Sequence, residues 1–247
     1  MTRQPMSETD ERGGPTVVIA QPTYLPWMGY FEQIAKADVF VVLDRVQFEK
    51  QSWQCRNRLR SANGETFWLS VPIAGHPLDV LIGDVRIARG KPKWRGKHLR
   101  SISASLGRAP FFQEVYPHLE SWLSCDYEML VDFNVDGVRH IAELLGLTPE
   151  WRVASQLQVT GAKGDLVLDI CRHLGAGTYC ASAGSRGYLE PTMPQFRDAG
   201  IEMVFQDWIH PTYPQRGEGF ISHLSVIDAL MNVGPAAVRD MLRGDTT

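Results

Sequence analysis

The sequence is poor in several features that would settle its class at once. It has 4 cysteines in 247 residues, at Cys55, Cys125, Cys171 and Cys180. None forms a C-x-x-C pair and no Cys/His cluster has zinc spacing, which argues against a disulfide framework and against a metal site. Scattered thiols of this kind are expected to be reduced and mostly buried. Charge of one sign is also missing: 25 Lys and Arg stand against 28 Asp and Glu, a net charge of −3. Without a basic excess, no nucleic-acid partner is expected. No apolar run approaches the roughly 20 residues of a membrane span, and the polar first fifteen residues lack the apolar core of a secretory signal. The expectation is a cytoplasmic protein with no membrane partner. No G-x-S-x-G elbow or Walker loop is present, so serine-hydrolase and P-loop chemistry lose support.

What is present points to a packed α/β chain. Hydrophobic residues make up 44%, with 7 Trp and 22 Gly, a balance unlike disorder or a simple helical bundle. Residues 1–15 read as a flexible tail, and residues 16–247 as a single domain. Val17–Ala20 and Val39–Leu43 are short apolar runs of the kind that form buried strands. Between them Phe31, Ile34 and Ala35 share one helical stripe, so the segment predicts a βαβ unit with parallel strands. Phe67–Pro72 reads as a further strand, and Val85–Ile87 as a short one. A helical insertion is expected over about residues 91–155, with breaks near Pro110 and Pro117 and its clearest helix over Val131–Leu145. Helix Asp165–Leu174, strands Tyr179–Ala181 and Met203–Phe205, and a late helix from Ser225 stopped by Gly234-Pro235 complete the pattern. The fold class is α/β: a mainly parallel, Rossmann-like sheet with helices on both faces.

Ligands of such sheets bind beyond the carboxyl ends of the strands, where three segments are expected to converge. The first, Gln21 to Tyr30, is stiffened by two prolines. It offers Gln21 as a donor and Tyr24, Trp27 and Tyr30 as pocket walls or core. The second runs from Asp44 and Gln47 to Arg56 and Arg58; the arginines are suited to clamp a carboxylate or phosphate. The third carries His210, Tyr213 and Gln215, then Ser225, which is either a helix N-cap or a functional hydroxyl. His210, fixed before a proline, is a candidate base, and His98 in Trp94-x-x-Lys97-His98 is the other.

The run Gln21-Pro-Thr-Tyr-Leu-Pro-Trp-Met-Gly-Tyr-Phe31 resembles the WbqC-like family. So do Ala37–Phe48, Trp53–Arg58, Trp94-x-x-Lys97-His98 and the block from His210 through Gln215 to Asp228. The likeness covers about residues 17–236. Cys55 departs from it, standing where the family's run carries Asn, and Cys180–Gly184 replaces a more usual Leu-Ser-Gly-Pro stretch. The resemblance implies biosynthesis of a surface polysaccharide or natural product that contains an amide-bearing sugar or amine. A weaker likeness, to nucleotidylyltransferases and pantothenate synthetase, lies in the opening strand–loop–helix–strand. The H-x-G-H motif of those enzymes is missing from Leu25–Tyr30.

The favoured expectation is therefore a transferase that joins an activated acyl or aminoacyl group to an amine, such as an amino sugar. A phosphopantetheine thioester on an acyl carrier protein is the candidate donor. His210 or His98 would act as base, Gln21 would stabilise the oxyanion and Arg56 and Arg58 would bind a phosphate. ATP-dependent amide ligation through an adenylate and a non-catalytic binding or scaffold role are the alternatives.

Overall fold

A computed structural model describes residues 13–61, 63–90 and 93–244. The chain opens with β1 (Thr16–Ala20), α1 (Met28–Lys36) and β2 (Val39–Val42), followed by a hairpin of β3 (Arg56–Arg60) and β4 (Thr66–Ser70). Three helices follow: α2 (Trp94–Leu106), α3 (Phe112–Ser124) and α4 (Leu130–Leu144). The chain then returns through β5 (Glu150–Val153), α5 (Lys163–His173), β6 (Thr178–Ala181), the short helices α6 (Arg186–Leu189) and α7 (Met193–Asp198), and β7 (Glu202–Phe205). It closes with α8 (Val226–Arg243). Five strands form one sheet in the order β5-β2-β1-β6-β7, and every pair in it is parallel. This is the mainly parallel, Rossmann-like α/β architecture. The order reverses between β1 and β6, which makes the crevice beyond β1 the expected ligand position.

Strand alternation divides the interior into two layers. Val18, Phe40, Val42 and Cys180 face a core built with α1, α2, α3, α4 and α8. Val17, Ile19, Val41 and Tyr179 face a second core built with α5, α6 and α7. β1 and β2 pair from Val17↔Val39 to Ala20↔Val42, as the two apolar runs predict, because strands covered on both faces need apolar residues at every position.

Several elements differ from the sequence expectation. The described part of the expected tail is packed: the Pro15 carbonyl accepts the Gly177 amide at 3.1 Å, and residues 1–12 lie outside the described residues. The stretch 91–155 is helical only as far as α4, and its last part joins the sheet edge as β5 beside β2. Pro117 does not break α3 but sits inside it. Both Pro117 and Gln113 are exposed, so the carbonyl left without an amide partner faces water and the usual cost is reduced. Val85–Ile87 forms isolated bridges rather than a strand. At Gly234 the backbone turns to φ 87°, ψ 158°, yet α8 resumes, because Pro235 fits the first position of a new helical stretch. A side chain at Gly234 would strike Phe111, whose ring lies 2.7 Å from the Cβ position. The four cysteines are free, with Cys125 exposed and the other three buried. Among the described residues no helix is long and apolar enough to cross a membrane.

Candidate functional site

The β1–α1 loop is the centre of the site, and buried amides shape it. Asn57, 2% exposed on β3, donates to the Leu25 carbonyl at 2.7 Å and the Tyr24 carbonyl at 3.3 Å. Asn134 on α4 donates to the Gln54 carbonyl at 2.7 Å and the Pro22 carbonyl at 3.3 Å. Gln54 in turn donates to Gln21 Oε1 at 2.8 Å. These ties hold Leu25 at φ 45°, a left-handed conformation that costs a non-glycine residue about 1–2 kcal/mol. Such strain persists only where the surroundings over-determine it.

The loop walls a cavity of about 290 Å³ lined by Thr23, Pro26, Trp27, Tyr30, Trp53, Asn57 and His223. It lies beyond β1, where the sheet order reverses. Trp27 folds back over the first turn of α1, where Gly29 leaves it room: a Cβ there would lie 2.1 Å from the indole. Its ring meets His223 at 4.8 Å and stacks on His210 at 6.1 Å with an interplanar angle of 11°. The hydroxyl of Thr23 is buried with no hydrogen-bond partner among the described residues, as is that of Ser225. An unpaired buried hydroxyl is costly unless a ligand satisfies it.

The histidines divide sharply. His98 is buried and pairs through Nδ1 with the Tyr24 hydroxyl at 2.8 Å. It is also hydrogen-bonded to the Ser70 backbone, and burial lowers its pKa to about 4. Tyr24 is fully buried among Trp122 and Phe133, and burial pushes its phenol far above the usual range. This pair belongs to the core and not to a pocket wall. His210 donates from Nδ1 to the Pro211 carbonyl at 2.9 Å and accepts the His223 amide on Nε2 at 3.2 Å. Both its nitrogens are thereby occupied, and burial lowers its pKa. His223 is exposed and held at φ 58°, and its ring has no hydrogen bond among the described residues. It is the one imidazole lining the aromatic cavity.

Of the other candidate residues, only Tyr30 lines this cavity. Asp44 lines a separate, larger one beyond β2 and β5, and Arg56 lines a third beside the hairpin. Gln21 is exposed, with its amide oxygen occupied by Gln54. Gln47 ties its loop to the Leu78 carbonyl at 2.8 Å. Tyr30 lines the aromatic cavity and donates to the Gln21 carbonyl at 3.0 Å. Tyr213 and Gln215 both donate to Asp228, at 2.9 and 3.0 Å, and Gln215 also ties down Ile221. They brace the loop that presents His223. Ser225 sits at the N-cap of α8 but makes no side-chain cap bond. Arg56 and Arg58 share one face of β3; the Arg56 guanidinium lies 4.3 Å over Trp68, and Arg58 pairs across the hairpin with Trp68. Trp68 is 5.4 Å from Trp53, so this surface reaches the mouth of the aromatic cavity. Sequence reasoning missed Thr23, Trp53, Asn57 and His223. Thr23 and Asn57 lay inside segments already singled out for chemistry, but no local pattern marks His223.

The fold and this crevice define a Rossmann-like α/β protein with a ligand pocket at the point where strand order reverses. A family model of WbqC-like proteins matches residues 21–240, and the chain belongs to the WbqC-like protein family. It is 27% identical to the uncharacterized protein Rv1507c of Mycobacterium tuberculosis (strain ATCC 25618 / H37Rv), over 92% of this chain and 97% of that protein. No solved structure matches.

Proposed function

We propose that the chain forms amide bonds by transferring an activated acyl or aminoacyl group to an amine, with the aromatic cavity as the reaction site. The observation that carries this reading is the unoccupied imidazole of His223, held in a left-handed conformation at the cavity wall while its neighbour His210 has both nitrogens engaged. A thioester is already activated, so the protein need only orient the amine and manage one proton. The amine nitrogen attacks the thioester carbonyl, and His223 takes the proton released from nitrogen. The carbon–sulfur bond of the tetrahedral adduct then breaks, and the imidazolium returns that proton to the departing thiolate. The products are an amide and a thiol. The Thr23 hydroxyl, buried and otherwise unpaired, donates to the oxyanion. Arg56 and Arg58 would hold the phosphate of a phosphopantetheine arm, on the surface that leads by way of Trp68 and Trp53 to the cavity.

A non-catalytic binding role is the second reading, and the satisfied rings of His98 and His210 favour it. The test is mass-spectrometric detection of amide formation from a glycyl-phosphopantetheine thioester and glucosamine. The transferase reading expects turnover, a raised KM in Trp53→Ala, and a kcat lowered about 10²-fold in Thr23→Val. Binding of both compounds with no amide product supports the binding role instead.

A further inference from the structure

A cavity of about 700 Å³, open to solvent, lies beyond the carboxyl ends of β2 and β5, a volume typical of small-molecule sites. Its floor carries Asp44, only 5% exposed. One carboxylate oxygen, Oδ1, accepts the Ser155 amide at 2.9 Å and so anchors the turn after β5. The other, Oδ2, has no hydrogen-bond partner among the described residues. No cation forms an ion pair with Asp44 among them either. The fold thus supplies one donor to Oδ1, while Oδ2 is not among the fully buried atoms and opens to the cavity, where solvent or a ligand can reach it. Room has been kept beside the free oxygen: a Cβ at Gly83 would lie 3.3 Å from Asp44 Oδ2.

The rest of the wall defines the ligand's charge. Asp132 and Asp136 join Asp44 against a single guanidinium, that of Arg139, although Asp136 already accepts the Tyr127 hydroxyl and lies 3.6 Å from His140 Nδ1. That guanidinium rests 5.2 Å over the Trp151 ring. Three carboxylates against one cation favour a cationic ligand over an anionic one. Tyr127 and Trp151 complete the wall, and Ser155 and Gln156 add polar groups suited to hydroxyls. We infer that this cavity binds a ligand carrying a primary ammonium on a hydroxylated frame, with Asp44 Oδ2 as the ammonium's partner. This cavity shares no lining residue with the aromatic cavity, so binding here does not rest on the transfer proposed above.

Calorimetric titration of the full chain with glucosamine, glucose and N-acetylglucosamine tests this. Glucosamine is expected to bind at least about tenfold more tightly than the two uncharged sugars. Asp44→Asn keeps an oxygen for the Ser155 amide and removes the charge; Gly83→Ala keeps the charge and fills the space beside it. Both are expected to weaken glucosamine binding about tenfold or more. Absence of binding, equal binding of the three sugars, or unchanged binding in both variants overturns the inference. Glucosamine binding with no amide formation overturns the transferase reading alone.

Discussion

Acid should destabilise this protein through His98, by an amount that follows from its surroundings. The ring is buried against Tyr24 and Trp94, and desolvation lowers its pKa from 6.5 to about 4. The unfolded chain therefore binds a proton at this site across a pH range in which the folded chain does not. Stability contributed here is complete above the unfolded value and declines as pH falls towards about 4. Between about pH 7.5 and pH 4.5 the loss is on the order of 2 kcal/mol, a sizeable part of a typical folding free energy. Urea unfolding of the native chain and of His98→Gln at the two pH values isolates the effect. Other groups titrate equally in both proteins, and the amide carries no proton. The acid-induced loss of stability should shrink by about 2 kcal/mol in the variant. An identical pH dependence in the two proteins would refute the assignment of His98 as a buried neutral ring. His98→Gln should also retain amide-forming activity, since the ring makes core contacts and does not line the aromatic cavity.

Other consequences are open to direct measurement. Asn57→Ala removes the bonds to the Tyr24 and Leu25 carbonyls, and should lower stability by about 2 kcal/mol in urea unfolding; a loss below a few tenths would mean the loop's other ties suffice. Pro117→Ala restores an amide on the exposed face of α3 and should raise the melting temperature, whereas a lowered one would show that the proline ring packs. Asp228 has its carboxyl pKa raised by burial, so its charge weighs against folding as pH rises through the folded pKa. Asp228→Asn keeps an acceptor for Tyr213 and should melt at or above the native temperature at neutral pH; a drop of several degrees would show that the charge itself is needed. Gly29→Ala should quench or shift tryptophan fluorescence by displacing the Trp27 ring, and an unchanged spectrum would contradict the close approach at the cavity.

The sheet's centre was legible in the sequence because strands covered on both faces must be apolar throughout, and Val39–Val42 can hardly be anything else. Its edge was not. In β5, Glu150-Trp151-Arg152-Val153 alternates over only four residues, too few to outweigh the helical pattern before it. β3 reads Arg-Asn-Arg-Leu-Arg, and its buried face is Asn57 and Leu59. A strand whose inner face carries an amide gives no hydrophobic period, although that amide shapes the site. The loops expected to converge do gather at the carboxyl end of the sheet, but they divide among three cavities. Residue type alone did not distinguish a histidine whose nitrogens are engaged from one that is open. His210 looked suited because a proline follows it, yet the Pro211 carbonyl is what occupies its Nδ1. His223 carries no such mark in the sequence, and only the fold of the 210–225 segment brings it to the cavity.

The kinetics of three histidine variants test the account most directly. With a glycyl-phosphopantetheine thioester and glucosamine as substrates, kcat for amide formation is compared in His223→Ala, His210→Ala and His98→Gln. His223→Ala should lose about 10²-fold or more while remaining folded, as expected for removal of a general base. His210→Ala, which frees the His223 backbone, should lose less, and His98→Gln should retain its rate at neutral pH. Full activity in His223→Ala, with loss in either of the others, would contradict the account and move the chemistry out of the aromatic cavity.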